Sequence, residues 1–158
     1  MSSWRSTTTG LLIGGVVIVI IASAVSFGIS YFTKTTDVRF RSTVFSVKLA
    51  KDQVSQEKGL SGVTELRQNG GLLMVFDTDD TWGIWMKDMK IPLDIVWLDS
   101  NKEVIYIVKN VSPDLATTKT FKPSKVARYV LEVSAGEISK YGIKIGDKAE
   151  FDLEGKSI

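Results

Sequence analysis

The chain opens with one long apolar run and continues as a series of short ones. No charged residue lies between Arg5 and Lys34, and residues 11–32 within that interval are almost continuously apolar. A helix over those residues would be about 33 Å long, which matches the hydrocarbon core of a bilayer. We therefore predict a transmembrane helix or signal anchor at residues 11–32, after an amino-terminal tail of residues 1–10.

The same run has a second interpretation, as a secretory signal. Ala22-Ser23-Ala24 has the small-x-small form of a cleavage site and follows a basic start and an apolar stretch. We favour retention as a single-pass anchor in the cell membrane, because the apolar residues continue well beyond Ala24; secretion after cleavage at Ala24 is the alternative. The basic residues that follow the run favour a cytoplasmic domain by the positive-inside rule, but long domains often translocate despite such charges. We expect the domain to lie outside the cytoplasm.

Beyond a polar linker at residues 33–42, the apolar residues recur in the short patterns of β-strands. Residues 43–50 alternate with a period of two, which places Phe45, Val47 and Leu49 on one side. Clusters of β-branched and aromatic residues predict further strands. These strands cover residues 72–76, 82–86, 94–99, 103–108, 127–133 and 148–153, and residues 77–80 are predicted to form a loop.

Two short helices are predicted among these strands. The first lies within residues 51–60 and ends near Gly59. Ser134 and Glu137 have the spacing of a capping box at the start of the second helix, and Gly142 suits a left-handed residue at its end. The domain at residues 43–158 is therefore predicted to be mainly β, a compact antiparallel β-sandwich or barrel-like fold with two short helices.

Composition excludes several kinds of chemistry. The chain has no histidine and no cysteine. This removes zinc sites built on imidazole or thiolate, Ser-His and Cys-His nucleophiles, iron–sulfur clusters and haem held by those residues. All 18 acidic residues and 19 of the 20 basic residues follow the apolar run, so the domain lacks the basic surplus of a nucleic-acid binder. We expect no cofactor, no metal site and no nucleic-acid partner.

The segment Trp85–Asp94 is the most unusual part of the domain, and it reads Trp-Met-Lys-Asp-Met-Lys-Ile-Pro-Leu-Asp. It resembles the hallmark of the DUF192 (UPF0127) family of uncharacterised proteins, Trp-Met-Lys-Asn-Thr-x-Ile-Pro-Leu-Asp, and departs from it at Asp88 and Met89. Gly71–Phe76 is similar to the family's Gly-Met-Leu-Phe-x-Phe strand, and the resemblance extends over residues 44–153. It implies a small β-sandwich or barrel, often behind a signal or anchor segment, and it implies no activity.

Three carboxylates in or near this segment are the candidates for catalysis: Asp88, Asp94 and Glu132. A pair of carboxylates can act as acid and base on a glycosidic bond, but structural roles are favoured for each. Asp94 follows a Pro-Leu turn and is expected to cap that turn by accepting its backbone N–H groups. Glu132 interrupts an apolar strand, where an unpaired charge is costly, so we expect it to pair with Lys87 or Arg128.

The ligand-binding residues are expected to lie around one turn. They are Trp85, Lys87, Asp88, Asp94 and Glu132. Because residues three apart on a strand face opposite sides, at most one of the tryptophans at positions 82 and 85 is expected to line any one groove.

Three functions remain open at the level of the sequence. The first is a membrane-anchored, extracytoplasmic binding or accessory module for an unknown small molecule, glycan or protein. The second is a hydrolase of a cell-surface polymer that uses Asp88, Asp94 and Glu132, and the third is a structural partner of another membrane protein. Converging carboxylates would favour the enzyme, an aromatic groove the binding module, and a flat apolar patch the partner. Enzyme activity is the less favoured expectation.

Overall fold

The computed structural model describes residues 35–115 and 119–154. The predicted membrane segment at residues 11–32 and the candidate cleavage site at Ala24 lie outside the described residues. Within the described ranges, no helix combines the length and the apolar character that crossing a membrane requires. Thr33–Ile158 forms one compact unit.

The described residues are mainly β, as predicted. The strands are β1 (Thr35–Phe40), β2 (Thr43–Ala50), β3 (Gly70–Asp80), β4 (Ile84–Trp85), β5 (Leu93–Leu98), β6 (Val104–Val111), β7 (Thr120–Phe121) and β8 (Ala127–Ser134). The helices are α1 (Gln53–Lys58), α2 (Glu137–Lys140) and a 3₁₀ helix at Pro113–Leu115.

Six of the strands form one sheet in the order β1-β2-β3-β8-β5-β6, and β4 pairs with β7 in a separate ribbon. The pairs within the large sheet are antiparallel except β2 and β3, which run parallel. Parallel neighbours need a crossover connection, and this one contains α1. The predicted antiparallel sandwich or barrel is therefore wrong in two respects: the sheet is mixed, and within the described residues it does not close.

Two apolar cores cover the two faces of the sheet. Side chains alternate along a strand, so β3 contributes Leu72 and Met74 to one core and Leu73 to the other. The first core lies against the β4–β7 ribbon, which adds Ile84, and the second lies against α2, which adds Ile138. Burial on both faces explains why the central strands have near-continuous apolar sequences.

The structure differs from the sequence predictions at three places along the strands. The expected linker at residues 33–42 contains β1, in which Val38 and Phe40 are buried between polar residues. The expected loop at residues 77–80 continues β3 beyond a bulge. The expected strand at residues 148–153 is represented among the described residues only by isolated bridges, such as the one from Arg39 to Glu150.

The start of α2 also differs from prediction. The expected capping box of Ser134 and Glu137 is absent, because the residue at the N-cap is Gly136 and no side chain of the cap bonds to the helix. A carboxylate from a neighbouring strand takes that role instead: Asp94 Oδ2 accepts a hydrogen bond from the Ile138 N–H at 2.9 Å. The cap is therefore tertiary, and local spacing could not predict it.

The end of α2 agrees with prediction. Gly142 has a left-handed φ of 64°. Its N–H donates to the Ser139 carbonyl at 3.2 Å, and the Ile143 N–H donates to the Ile138 carbonyl at 3.0 Å. These two bonds are those of a Schellman motif, which explains the glycine at this position.

Candidate functional site

A cavity of about 390 Å³ opens on the face of the sheet that carries the β4–β7 ribbon. Three parts of the chain enclose it: α1 with the turn that follows it, strands β3 and β8, and the segment that leads into β4. The side chains and backbone that matter most below belong to Gly59, Met74, Phe76, Trp82, Trp85 and Glu132. Concave sites with apolar walls and a few polar groups are typical of small-molecule binding.

The aromatic wall of the cavity is held in place from behind. The rings of Phe76 and Trp82 are stacked, with centroids 4.1 Å apart and planes 8° from parallel. Trp82 Nε1 donates to the Thr78 carbonyl at 3.2 Å, and the Trp82 carbonyl accepts a hydrogen bond from Trp97 Nε1 at 2.8 Å. Trp85 forms the outer part of the lining and is 51% exposed.

Both Trp82 and Trp85 line this cavity, contrary to the expectation that at most one would. The expectation assumed a continuous strand over residues 82–86. Only Ile84 and Trp85 are in β conformation, and Trp82 precedes the strand, so the alternation rule does not apply to the pair.

Glu132 lies at the floor of the cavity. It is 3% exposed, and its Oε2 has no hydrogen-bond partner among the described residues. Burial raises the pKa of Glu132 from its ordinary value of 4.5 to about 7, because removing a carboxylate from water disfavours its charged form. The surroundings of the Glu132 carboxyl group are apolar except on the side of the cavity.

The prediction that Glu132 pairs with Lys87 or Arg128 is wrong. Arg128 Nε instead contacts Asp79 Oδ1 at 2.5 Å. The Lys87 ammonium lies over the Trp85 ring, 5.8 Å from its centroid. The carboxyl group is therefore buried without the cation that the sequence suggested.

Asp94 is also buried, but on the other face of the sheet. It pairs in register with Val133 of β8, the neighbour of Glu132, and adjacent residues of a strand point to opposite faces. Its Oδ1 accepts from the Asn110 N–H at 2.8 Å and its Oδ2 from the Ile138 N–H at 2.9 Å. Asp94 thus joins the end of β6 to α2. It accepts backbone N–H groups, as expected, but from these two elements and not from the Pro-Leu turn that precedes it.

Lys87 and Asp88 are exposed, and their side chains are not part of the cavity lining. Their backbone carbonyls accept hydrogen bonds from the Ser61 hydroxyl at 2.8 Å and the Gly62 N–H at 2.9 Å. Asp88 has a left-handed φ of 57°, a conformation that Asn and Asp tolerate better than other residues. The hallmark segment therefore fixes the turn after α1 through its backbone.

Of the five residues predicted to bind a ligand, Trp85 and Glu132 line the cavity, and Lys87, Asp88 and Asp94 do not. The structure therefore does not bring the three candidate catalytic carboxylates together.

Sequence reasoning missed Gly59 as a site residue. A Cβ built on Gly59 would lie 3.7 Å from Glu132 Oε2 and 3.3 Å from Met74 Cε. In the sequence, Gly59 indicated only the end of a helix, and no local pattern connected it to Glu132.

A second glycine fixes the strand beneath the site. A Cβ on Gly71 would lie 2.1 Å from the Glu132 carbonyl oxygen, much closer than any side chain permits. Only glycine lets β3 approach β8 so closely beside Glu132. Gly71 was singled out by the family resemblance, and the structure gives the physical reason for it.

The other buried glutamate, Glu137, belongs to α2 and has a structural role. Its Oε1 accepts from the Asn69 N–H at 2.9 Å, and Asn69 Oδ1 accepts from the Tyr141 hydroxyl at 2.6 Å. Burial raises the pKa of Glu137, and the Asn69 hydrogen bond opposes that rise. These contacts hold the turn before β3, where Asn69 has a φ of 54°.

The fold and the site define a small mixed-sheet domain with an aromatic cavity that is lined by the buried carboxyl group of Glu132, which has no ion-pair partner among the described residues. The sequence profile of the DUF192 family, described as "Uncharacterized ACR", matches residues 34–151. The chain belongs to this family, as the hallmark segment predicted.

Two solved structures resemble this domain. One is a protein of unknown function from Novosphingobium aromaticivorans DSM 12444, with 31% identity and a TM-score of 0.67 over 73% of this chain and 83% of that one. The other is described as a "putative transcription regulator" from Sinorhizobium meliloti 1021, with 26% identity and a TM-score of 0.68 over 75% of this chain and 92% of that one. No curated protein matches the chain significantly.

Proposed function

We propose that this domain is a binding module for a small molecule and that the aromatic cavity is its site. The observation that carries the proposal is Glu132, which lines the cavity and whose Oε2 is a buried polar atom without a hydrogen-bond partner among the described residues. Leaving such an atom unpaired costs about 1–3 kcal/mol. A ligand that supplies the missing partner would offset that cost on binding.

The cavity walls support the same proposal. Hydrogen bonds hold Trp82 from behind, and the ring of Phe76 is stacked on it, so the two rings form a preorganised flat surface. Trp85 is free to cover a ligand from the outside because half of its surface is exposed. Rigid aromatic walls with one convergent polar group favour a ligand with an apolar body and a single polar end.

The hydrolase interpretation has no comparable support. Two carboxyl groups that act on one glycosidic bond must lie roughly 5–10 Å apart in the same cavity. Asp94 and Glu132 lie on opposite faces of the sheet, and Asp88 is not in the lining. The remaining carboxylate of the lining, Glu57, is exposed and accepts a hydrogen bond from Gln53 of the same helix.

We further propose that the module is anchored to a membrane and lies outside the cytoplasm. The support is in the sequence: residues 11–32 form an apolar run long enough to cross a bilayer. Mass spectrometry of the mature protein tests the anchor, because an amino terminus at Val25 would show cleavage after Ala24.

A thermal-shift screen on the full chain in lipid nanodiscs tests the binding proposal. Ligands of the cavity should raise the melting temperature of the domain. The increase should be lost in Trp85→Ala, which alters a half-exposed part of the lining, and kept in Ile145→Ala, which alters an exposed side chain elsewhere. Stabilising compounds that act equally on both variants would contradict the assignment of the site.

A further inference from the structure

We infer that the cavity binds an organic ammonium ion, that is, a primary or secondary amine on a small apolar or aromatic body. The inference rests on the proposed binding function and adds the chemical class of the ligand to it. Its basis is the arrangement of Glu132, Gly59 and the aromatic wall.

The first step is that Glu132 has no ion-pair partner among the described residues. Burial is the sole cause of the raised pKa of Glu132, with no opposing contribution from a lysine or arginine in the part of the chain that the structure describes. The salt bridges within residues 35–115 and 119–154 join other residues, Arg41 to Asp147 and Arg128 to Asp79. Glu132 therefore has no cationic partner among the described residues.

The second step is the space beside the carboxyl group of Glu132. Gly59 has no side chain, and a Cβ there would lie 3.7 Å from Glu132 Oε2. The φ of +51° at Gly59 disfavours any larger residue. Because Gly59 carries no side chain, the room for an ammonium group beside Glu132 is that of the cavity of about 390 Å³, which both residues line.

The third step is the character of the walls. Aromatic faces attract cations, and indole does so most strongly. Trp82 and Trp85 both line the cavity, together with Phe76 and the thioethers of Met74 and Met89. A carboxylate ligand would be repelled by ionised Glu132, whereas an ammonium ion is attracted both by Glu132 and by the rings.

The fourth step is the absence of a competing fixed cation in the buried part of the lining. The other ionisable lining groups are Glu57 and Lys58 of α1, which are exposed and opposite in charge. The neighbouring strands present apolar side chains to this face, including Met74 from β3 and Ile95 from β5. Glu132 therefore dominates the charge of the cavity floor.

A dependence on pH follows. An ammonium ion binds the ionised form of Glu132, so binding releases the proton that the buried carboxyl group holds below about pH 7. Amine affinity should rise roughly 30-fold between pH 5.5 and pH 8, the ratio of the ionised fractions at those two values. The amine itself stays protonated over that range.

The experiment compares three probes that share a phenyl ring: phenethylamine, 2-phenylethanol and phenylacetate. Each is titrated at pH 5.5 and pH 8 into the full chain in lipid nanodiscs, with empty nanodiscs as the control for partitioning. Binding is followed by the ¹H–¹⁵N signals of the Trp82 and Trp85 indoles. We expect phenethylamine to shift both signals, with the stated rise in affinity, and phenylacetate to bind more weakly at pH 8.

Two variants assign the effect to one carboxyl group. Glu132→Gln should remove the pH dependence of amine binding, and Glu57→Gln, the matched change in the same lining, should keep it. Equal behaviour of these variants would overturn the inference. So would tight binding of 2-phenylethanol with no advantage for the amine at pH 8, although the proposed binding function would then stand. Failure of all three probes to shift the two indole signals would overturn both proposals.

A measurement on the unmodified protein removes any dependence on the folding of the variants. The ¹³C signal of the Glu132 carboxyl group reports its pKa directly. Saturation with phenethylamine should lower that pKa well below 7. An unchanged or increased pKa would overturn the inference.

Discussion

Glu132 and Gly59 face each other at the floor of the cavity, with 3.7 Å between Glu132 Oε2 and the position of a Cβ on Gly59. Gly59 combines φ 51° with ψ −132°, a backbone conformation that essentially only glycine adopts. The turn that ends α1 therefore requires glycine, and an alanine methyl group at this position would be in van der Waals contact with the carboxyl group.

Gly59→Ala should fill the space beside the Glu132 carboxyl group. We expect the variant to lose ligand binding and to be destabilised by about 1–3 kcal/mol through backbone strain. Gly62→Ala is the matched control, because Gly62 also has a positive φ of +78° but no atom lies within 4 Å of its added Cβ. Chemical denaturation and probe titration of both variants measure the two effects; equal loss of binding in Gly62→Ala would show that strain, and not the lost space, is responsible.

Glu132 should make the stability of the domain depend on pH. Its pKa is about 7 in the folded state and 4.5 ordinarily, so the folded protein holds a proton that the unfolded chain releases between those values. Stability should therefore fall by about 3 kcal/mol as pH rises from 4.5 to 8. This replaces the expectation of a stabilising ion pair at Glu132.

Glu132→Gln should remove most of that fall, because the amide has no charge to bury. Urea denaturation at several pH values measures it in the wild type and the variant. Glu137, whose pKa is also raised, remains in both proteins and leaves a smaller slope of the same sign. Parallel curves for the two proteins would contradict the assignment to Glu132.

Asp94→Asn should destabilise the domain by about 2–3 kcal/mol. Each carboxylate oxygen of Asp94 accepts one backbone N–H, from Asn110 and Ile138. An amide has one oxygen, so the variant leaves one buried N–H facing an NH₂ group. Asp88→Asn is the control: Asp88 is exposed with a φ of 57°, so its change should stay within about 0.5 kcal/mol. Equal midpoints of denaturation would contradict the role of Asp94.

The start of the folding unit can be tested by truncation. A fragment of residues 33–158 should melt cooperatively, because it keeps β1. A fragment of residues 42–158 loses the buried side chains of Val38 and Phe40, and with them the edge-to-face contact of Phe40 with Phe45. We expect it to be less stable by at least about 3 kcal/mol. Equal melting temperatures of the two fragments by circular dichroism would show that β1 adds nothing to the stability of the domain.

The sequence predicted most of the central strands because their apolar residues are consecutive or alternate. β1 was mistaken for a linker since its two buried side chains, Val38 and Phe40, stand among polar and charged residues. The parallel pairing of β2 and β3 could not be predicted, because local patterns carry no information about which strands become neighbours.

The site was predictable only in part. Glu132 stood out because it interrupts an apolar strand, and its burial followed from that. Its lack of a partner depends on the residues that the fold brings beside it from distant parts of the chain, such as Gly59. Asp94 and Glu132 were grouped by chemistry, whereas a register offset of one residue between β5 and β8 sends them to opposite faces.

Strand β8 contributes to both faces of the sheet through alternate residues. Leu131 and Val133 belong to the core beside α2, and Val130 and Glu132 face the cavity side. Residues on the cavity side and residues that pack in the core beside α2 therefore alternate along the same strand. The residues of β8 on the cavity side can therefore change while the intervening residues still hold the sheet to α2, so relatives that keep this fold can differ in the lining of the cavity.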